Sequence, residues 1–346
     1  MAGIYDDQFV ENLRLGVKAI ACRWGASSNA DVQLLTLSEN ATFILRDELL
    51  RKPLIIRVHR PAYHSKQEIE SELGWILSLK ASQLLTTPAP LAMTDGELIA
   101  SFEDQGQTRY VVAFEFFPGK EPSQQDDLCA GFKTLGAISA RLHLHSLKWQ
   151  RPDNFRRKRW DFDSAFGQQP LWGDWRAAPG ITDTNSPILE RMLAKLQQRL
   201  SQYGDGPDRF GLIHADLRLA NLLLQGDDLA VIDFDDCGFS WFMYDFAAAI
   251  SFFEDSPQIP ALQQAWLDGY RSVTPLAAEH EAMLPDLIMF RRMLLTAWVG
   301  SHPETETAAE AGHERFTEGT VKLAQKYLAT ADDSPMTSHE ATRAEG

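Results

Sequence analysis

The chain is poor in cysteine, in positive charge and in long apolar runs. Its three cysteines among 346 residues, Cys22, Cys129 and Cys237, lie far apart, with no Cys-x-x-Cys pair and no histidine at zinc spacing. That argues against a disulfide framework and against a cysteine-based zinc site, and an odd, sparse count suits a reducing compartment. Lys and Arg number 33 against 48 Asp and Glu, a formal net charge of −15. A phosphate backbone needs a basic footprint, so nucleic acid is not an expected partner, and an acidic chain is not drawn to anionic lipid. No uninterrupted apolar run approaches the roughly 18 residues of a membrane span. The start, MAGIYDDQFVENLRLG, is too polar for a secretion signal. A soluble, cytoplasmic protein with no membrane contact is expected. There is also no GxGxxG phosphate loop and no internal repeat.

What is present is an ordinary globular composition, 44% hydrophobic with 22 Gly, long enough for one large domain or two moderate ones sharing a cleft. Residues 6–21 read as an amphipathic helix with Phe9, Val10, Leu13, Val17 and Ile20 on one face. Three strand-like runs follow, VQLLTL (32–37), ATFIL (41–45) and PLIIRVH (53–59), the first two joined by the turn composition Ser38-Glu39-Asn40. A helix is expected over 65–80 with the stripe Ile69, Leu73, Ile76 and Leu77, opened by a Ser65/Glu68 capping box. ELIASFE (97–103) and RYVVAFEFF (109–117) read as strands that end at the breaker Pro118-Gly119. Helices are then expected over 124–146, 186–203, 241–253, 260–270, 280–299 and 307–329, interrupted by two short strands within 210–233. Residues 331–346 carry almost no large apolar side chain and read as a disordered tail. The outline is α+β and two-lobed: a small β-rich lobe over 1–118 with one main internal helix, and a larger, mostly helical lobe over 119–330.

The densest chemistry lies in RFGLIHADLRLANLLLQGDDLAVIDFDD, residues 209–236. Asp216 sits in a turn after the apolar strand FGLI, where a carboxylate can reach a substrate hydroxyl. Asn221 offers a neutral amide oxygen, a hard ligand suited to Mg²⁺. Asp233 ends the apolar strand LAVI and offers a charged oxygen. The polar QGDD (225–228) reads as a hairpin turn that lets the two strands pair and brings Asn221 and Asp233 together. One base and two metal ligands are what phosphoryl transfer requires, because catalysis there is mainly positioning and charge neutralisation.

The spacing His214-x-Asp216, Asn221, Asp233 resembles the catalytic and metal-binding loops of the protein-kinase-like superfamily, and most of all the aminoglycoside phosphotransferase/choline kinase family with its homoserine kinase and stress response kinase members. The resemblance implies a two-lobed kinase-like fold, ATP and Mg²⁺ as cofactors, Asp216 as catalytic base and Asn221 and Asp233 as metal ligands. It places Asp235 where it could meet a second metal, His214 as a support of the loop, and Asp245 as its brace. Arg218 takes the place of a cation facing the transferred phosphoryl group, or else forms a surface salt bridge. In PLIIRVHR the phosphate-gripping position falls on Arg57, with Glu72 as the helix acid that pairs with it. The usual residue is lysine, so the reach differs. Ser38 and Asn40 either present N–H groups to phosphate as an anion nest or close a plain hairpin. Phe114–Gly119 fits the hinge that edges adenine, with the backbone of Glu115 and Phe117 on the base.

The acceptor side is thinner. Arg156–Trp160 (RRKRW) either attracts an anionic group or is a solvated face, and Trp160, Trp172 and Trp175 line an acceptor pocket or belong to the core. Arg291, Arg292, Trp298 and His302 on a late helix either reach the acceptor pocket or are packing or surface, and His143 reads as a buried support. The leading function is an ATP- and Mg²⁺-dependent kinase of a small-molecule hydroxyl, an amino alcohol or hydroxy amino acid. The alternatives are a protein Ser/Thr kinase, an aminoglycoside kinase and a nucleotide-binding pseudokinase. Much of the acidity has an address: eleven acids against Arg209 and Arg218 between 205 and 255.

Overall fold

The computed structural model describes residues 7–38, 40–226 and 228–331. The expected tail therefore lies outside the described residues, apart from Ala331, the last residue of the final helix. The N-terminal half carries α1 (Asp7–Ile20), β1 (Asp31–Leu37), β2 (Ala41–Arg46), β3 (Leu54–Val58), α2 (Lys66–Ala81), β4 (Ile99–Asp104) and β5 (Gln107–Glu115). The strands form one antiparallel sheet in the order β1-β2-β3-β5-β4. Alternation fixes which side chains turn inward. Phe43, Leu45, Ile56, Val58, Val111 and Ala113 bury one face together with Leu13 and Val17 of α1.

Ser65 and Glu68 close the expected capping box, with the Glu68 N–H on Ser65 Oγ (3.3 Å) and the Ser65 N–H on Glu68 Oε2 (2.8 Å). Helix α2 is gripped from two sides. Ile69 and Leu73 pack with Val112 of the sheet, while Trp75, Ile76 and Leu79 belong to the core of the large lobe. Leu77, expected in the apolar stripe, is 40% exposed, because the two lobes leave only that direction open.

The large lobe carries α3 (Cys129–Lys148), α4 (Phe162–Phe166), α5 (Ser186–Tyr203), β6 (Phe210–Ile213), β7 (Leu222–Gln225), β8 (Asp228–Val231), β9 (Gly238–Trp241), α6 (Tyr244–Ala249), α7 (Ile259–Arg271), α8 (Ala278–Glu281), α9 (Leu284–Ser301), α10 (Glu306–Ala311) and α11 (His313–Ala331). Several expectations need correcting. The QGDD turn does join a hairpin, but LAVI pairs with LLLQ of β7, while FGLI of β6 pairs with β9. The helix expected over 241–253 is only six residues long, and the one over 307–329 breaks at Gly312, whose φ of 72° favours glycine. The helix expected from 124 begins at Cys129. Among the described residues no helix is long and apolar enough to cross a membrane.

Helices α3 and α7 cross through two glycines. A Cβ on Gly136 would lie 1.9 Å from the Trp266 carbonyl oxygen, and one on Gly269 would lie 1.8 Å from that of Lys133. Backbone cannot give way there as a side-chain tip can. Gly136→Ala should therefore cost about 3 kcal/mol, at the upper end of ordinary overpacking. Thermal unfolding measures it, and an unchanged melting temperature would contradict the close crossing.

The two lobes also meet at His145 of α3. The Trp75 indole N–H donates to His145 Nδ1 (3.3 Å), so the proton sits on Nε2, which faces Ser78 Oγ at 3.0 Å. Burial holds this imidazole below its ordinary 6.5. A depressed folded pKa gives stability that is complete above 6.5 and is lost as the pH falls toward the folded value, because the unfolded chain takes up the proton first. The melting temperature of the wild type should therefore fall more steeply between pH 7 and pH 5 than that of His145→Gln. Parallel curves would remove His145 from the pH response.

Candidate active site

The site is built on two loops that begin where short strands end. After β6 the chain turns through Ala215, a non-glycine residue at φ 68°. Such a conformation costs energy unless it is held. Asp245, fully buried, holds it: Oδ1 accepts the Ala215 N–H at 2.8 Å and Oδ2 lies 2.9 Å from His143 Nε2. His143 in turn meets the Tyr270 hydroxyl at 3.0 Å and stacks on Phe242. The bracing expected of Asp245 and the support expected of His143 are thus one hydrogen-bonded chain.

His214 ties the two loops together. It accepts the Asp216 N–H on Nδ1 (3.2 Å), so its Nε2–H donates to the Ile232 carbonyl (3.1 Å), one residue before Asp233. Burial holds the ring below its ordinary pKa, in keeping with this neutral tautomer.

Asp216 emerges with 14% of its side chain exposed and with both oxygens engaged. Oδ1 accepts from Arg291 Nη2 at 2.5 Å; Oδ2 accepts from Asn221 Nδ2 at 2.7 Å and from Arg218 Nε at 3.3 Å. Burial pushes its carboxyl up, but Arg291, then Arg218 and His214, outweigh that and hold it below its ordinary value. Arg218 is 25% exposed and faces the base, so it is part of the site and not a remote surface pair. Because Asn221 spends its amide nitrogen on Asp216, its oxygen points the other way and is the group a metal would use.

Asp233 turns into the cleft at φ 59°, with 44% of its side chain exposed. Burial, and then Asp235, Glu72 and Asp216, push its carboxyl upward against the pull of Arg57. An oxygen ligand crowded by other carboxylates, beside the amide oxygen of Asn221, suits a hard divalent cation, so the residues present fit Mg²⁺. Arg57 and Glu72, whose pairing the family resemblance implies, do meet. Arg57 Nη2 lies 2.6 Å from both Glu72 oxygens, and Nη1 reaches Asp233 Oδ1 at 3.1 Å.

Asp235 lies deeper than Asp233. It is 5% exposed, accepts from Asn40 Nδ2 at 2.8 Å, and has His64 Nε2 at 3.2 Å, His59 Nδ1 at 3.5 Å and Arg57 Nη1 at 3.8 Å around it. Burial opposes its charge, yet His64, Arg57 and His59 hold the carboxyl well below the usual range. An Asp235 oxygen also lies within 4.8 Å of ligand atoms of His64 and Asp236, a grouping that could hold a metal ion. The turn residues follow from this. Asn40 points inward to Asp235 and accepts the Arg60 N–H at 3.2 Å. The Ser38 N–H donates to the Asn40 carbonyl at 3.0 Å. The Ser38 N–H is thus spent within the turn. Of the hinge residues, Glu115 gives its N–H to the Ala89 carbonyl at 3.0 Å, so only its carbonyl remains for a base, and the Phe117 carbonyl accepts from the Gly119 N–H.

The basic run is divided: Arg156 and Arg159 are exposed, whereas Arg157 and Lys158 turn inward. Arg157 is 8% exposed and donates to three carbonyls, those of Cys237 (2.6 Å), Glu68 (3.0 Å) and Asp235. It thereby locks α2 to the loop after Asp233. Lys158 lies over the Tyr63 ring, and Arg159 pairs with Asp161 and Asp205. Trp160, Trp172 and Trp175 are all buried, and Trp172 lies against the Arg291 guanidinium at 5.4 Å. Of the two readings of Arg291, the reach toward the site is the one the geometry supports, whereas Arg292 packs elsewhere. The sequence signal was a pair of arginines inside the otherwise apolar LIMFRRMLL, where each charge must find a partner.

Comparisons with known proteins agree with this geometry. A solved structure of a microcompartment-associated aminopropanol kinase superposes with a TM-score of 0.83 at 42% identity, over 91% of this chain and 97% of that one. The homoserine kinase of Gluconobacter oxydans (strain 621H) is 29% identical over 247 residues, 66% of this chain and 72% of the relative. The amicoumacin kinase of Bacillus subtilis (strain 168) is 22% identical over 288 residues, 80% of this chain and 81% of that enzyme. The profile of the phosphotransferase enzyme family matches residues 32–276, well over half of the sequence. With its two-lobed kinase-like fold, the chain belongs to the phosphotransferase enzyme family and is a kinase of small-molecule hydroxyl groups.

Proposed function

We propose that this enzyme transfers the γ-phosphoryl group of ATP to the hydroxyl of a short amino alcohol, with Mg²⁺ as the metal and the cytoplasm as its place of work. The observation that carries the reading is the setting of Asp216. Its carboxylate is aimed by Arg291, Asn221 and Arg218 at 2.5, 2.7 and 3.3 Å, at the mouth of the cleft and in the same site as Asp233. A carboxylate held below its ordinary pKa stays ionised and orients the acceptor hydroxyl, accepting its proton as the bond to phosphorus forms. Asn221 and Asp233 would hold Mg²⁺, which supplies charge neutralisation at the transferred group. Arg218 offsets charge that develops beside the base. Arg57, fixed by Glu72, offers the nearby cation for the other phosphates.

One feature supports an amino alcohol: the 42% identical structure is that of an aminopropanol kinase. The test is ADP release over a panel of amino alcohols, hydroxy amino acids, sugars and aminoglycosides, together with labelled ATP in a lysate. Turnover with aminopropanol above the rest of the panel is expected. Label mainly on protein, or preference for a sugar, would overturn the acceptor reading.

A further inference from the structure

We propose that Arg291 is the positioning residue of the catalytic base, holding the Asp216 carboxylate in the one rotamer from which it can meet the acceptor hydroxyl. The inference rests on the reading of Asp216 given above.

Arg291 sits on α9, where the neighbouring side chains are apolar and the guanidinium is 2% exposed. A buried guanidinium is kept only when its donors are placed. Four of its five N–H groups are. Nε donates to Ser251 Oγ at 3.0 Å; Nη1 serves the Tyr244 hydroxyl at 3.1 Å and the Ala215 carbonyl at 3.4 Å; Nη2 reaches Asp216 Oδ1 at 2.5 Å. Trp172 and Tyr244 lie against it at 5.4 and 5.8 Å. A guanidinium is rigid and planar, so fixing its Nε and Nη1 edge fixes where Nη2 points. With so little exposure and one N–H to spare, it is not a receptor for a substrate anion. It is a brace that runs from α6 and Ser251 to the base, gripping Oδ1 and leaving Oδ2 with Asn221 and Arg218.

The next residue on the helix is the natural control. Arg292 is equally buried, yet it donates to Glu254, Thr320 and the Phe316 carbonyl, none of them in the site. Arg292 holds the fold, and Arg291 aims a reacting group.

The experiment compares Arg291→Met, Arg291→Lys, Tyr244→Phe and Arg292→Met, with aminopropanol and ATP as substrates and thermal unfolding alongside. Arg291→Met should lower kcat about 100-fold, the scale of an ångström's misplacement of a reacting group, with KM for ATP within about twofold. Arg291→Lys, which keeps charge but not the fork, should recover about tenfold of that loss. Arg292→Met should lower the melting temperature and leave kcat within about threefold. If Arg291→Met does not fold, Tyr244→Phe carries the test, because it frees one anchor and keeps the charge; a kcat loss of about fivefold is expected there. Wild-type kcat in a folded Arg291→Met or in Tyr244→Phe overturns the proposal. Asp216→Asn separates the two readings: if it stays active, the role of the base fails; if it is inactive while Arg291→Met is wild-type, only this inference fails. Should aminopropanol prove not to be an acceptor, a crystal structure of Arg291→Met decides: an Asp216 rotamer that swings away supports the proposal, and an unmoved one overturns it.

Discussion

Asp216→Asn is expected to remove about three orders of magnitude or more from kcat while the dissociation constant for ATP stays within about threefold. The carboxylate is 14% exposed, and its two oxygens are fixed by Arg291, Asn221 and Arg218. The amide has nearly the same shape but cannot take a proton, and only its oxygen can accept, so its nitrogen would meet donors on one side. The proposed nucleotide-side residues Arg57, Glu72 and Asp233 are not among the hydrogen-bond partners of the Asp216 side chain, which are Arg218, Asn221 and Arg291. Calorimetric titration with ATP and a coupled assay for ADP separate the two effects. Some loss of thermal stability should accompany the change, because Arg291 loses its anion in a place only 2% exposed. Turnover near that of the wild type would end the assignment of Asp216 as the base.

The parts of the site that sequence made legible are those whose spacing is local. His214, Asp216, Asn221 and Asp233 lie within twenty residues, and the strand ends that carry them can be read from short apolar runs. Arg57 and Glu72 are 15 residues apart on an inward strand and a capped helix, and they too could be paired. What was hidden depends on long-range partners. Arg291 meets Asp216 across 75 positions, and Arg157 reaches Cys237 across 80. An arginine in an apolar helix announces that it has a partner but not which one. Pairing errors have the same origin. FGLI and LAVI have similar composition, and only the third dimension assigns one to β9 and the other to β7. The surroundings of Asp235 were equally hidden, because Asn40 reaches it across 195 positions and His64 comes from the small lobe.

Arg57→Ala should be the most destabilising single change in the small lobe, by about 3–5 kcal/mol. The guanidinium is 5% exposed and its partner Glu72 is not exposed at all, with both carboxylate oxygens 2.6 Å from Nη2. Removing the cation leaves Glu72 as a bare buried charge, and leaves Asp233 and Asp235 without the positive group between them. Much of the cost is thus the penalty of the orphaned acid and not the worth of the bond, which a second substitution reveals. Arg57→Ala with Glu72→Gln should be more stable than Arg57→Ala alone by chemical denaturation. A double variant that is the weaker of the two would mean that Glu72 has another cation close by. Arg57→Lys tests geometry in place of charge. An ammonium is a point donor and cannot bind both Glu72 oxygens while also reaching Asp233 at 3.1 Å. It should retain most of the stability but raise KM for ATP, because the fork also fixes Asp233, the proposed metal ligand. The arginine that departs from the usual lysine is therefore the element that lets one side chain join α2, the sheet and the loop of Asp233.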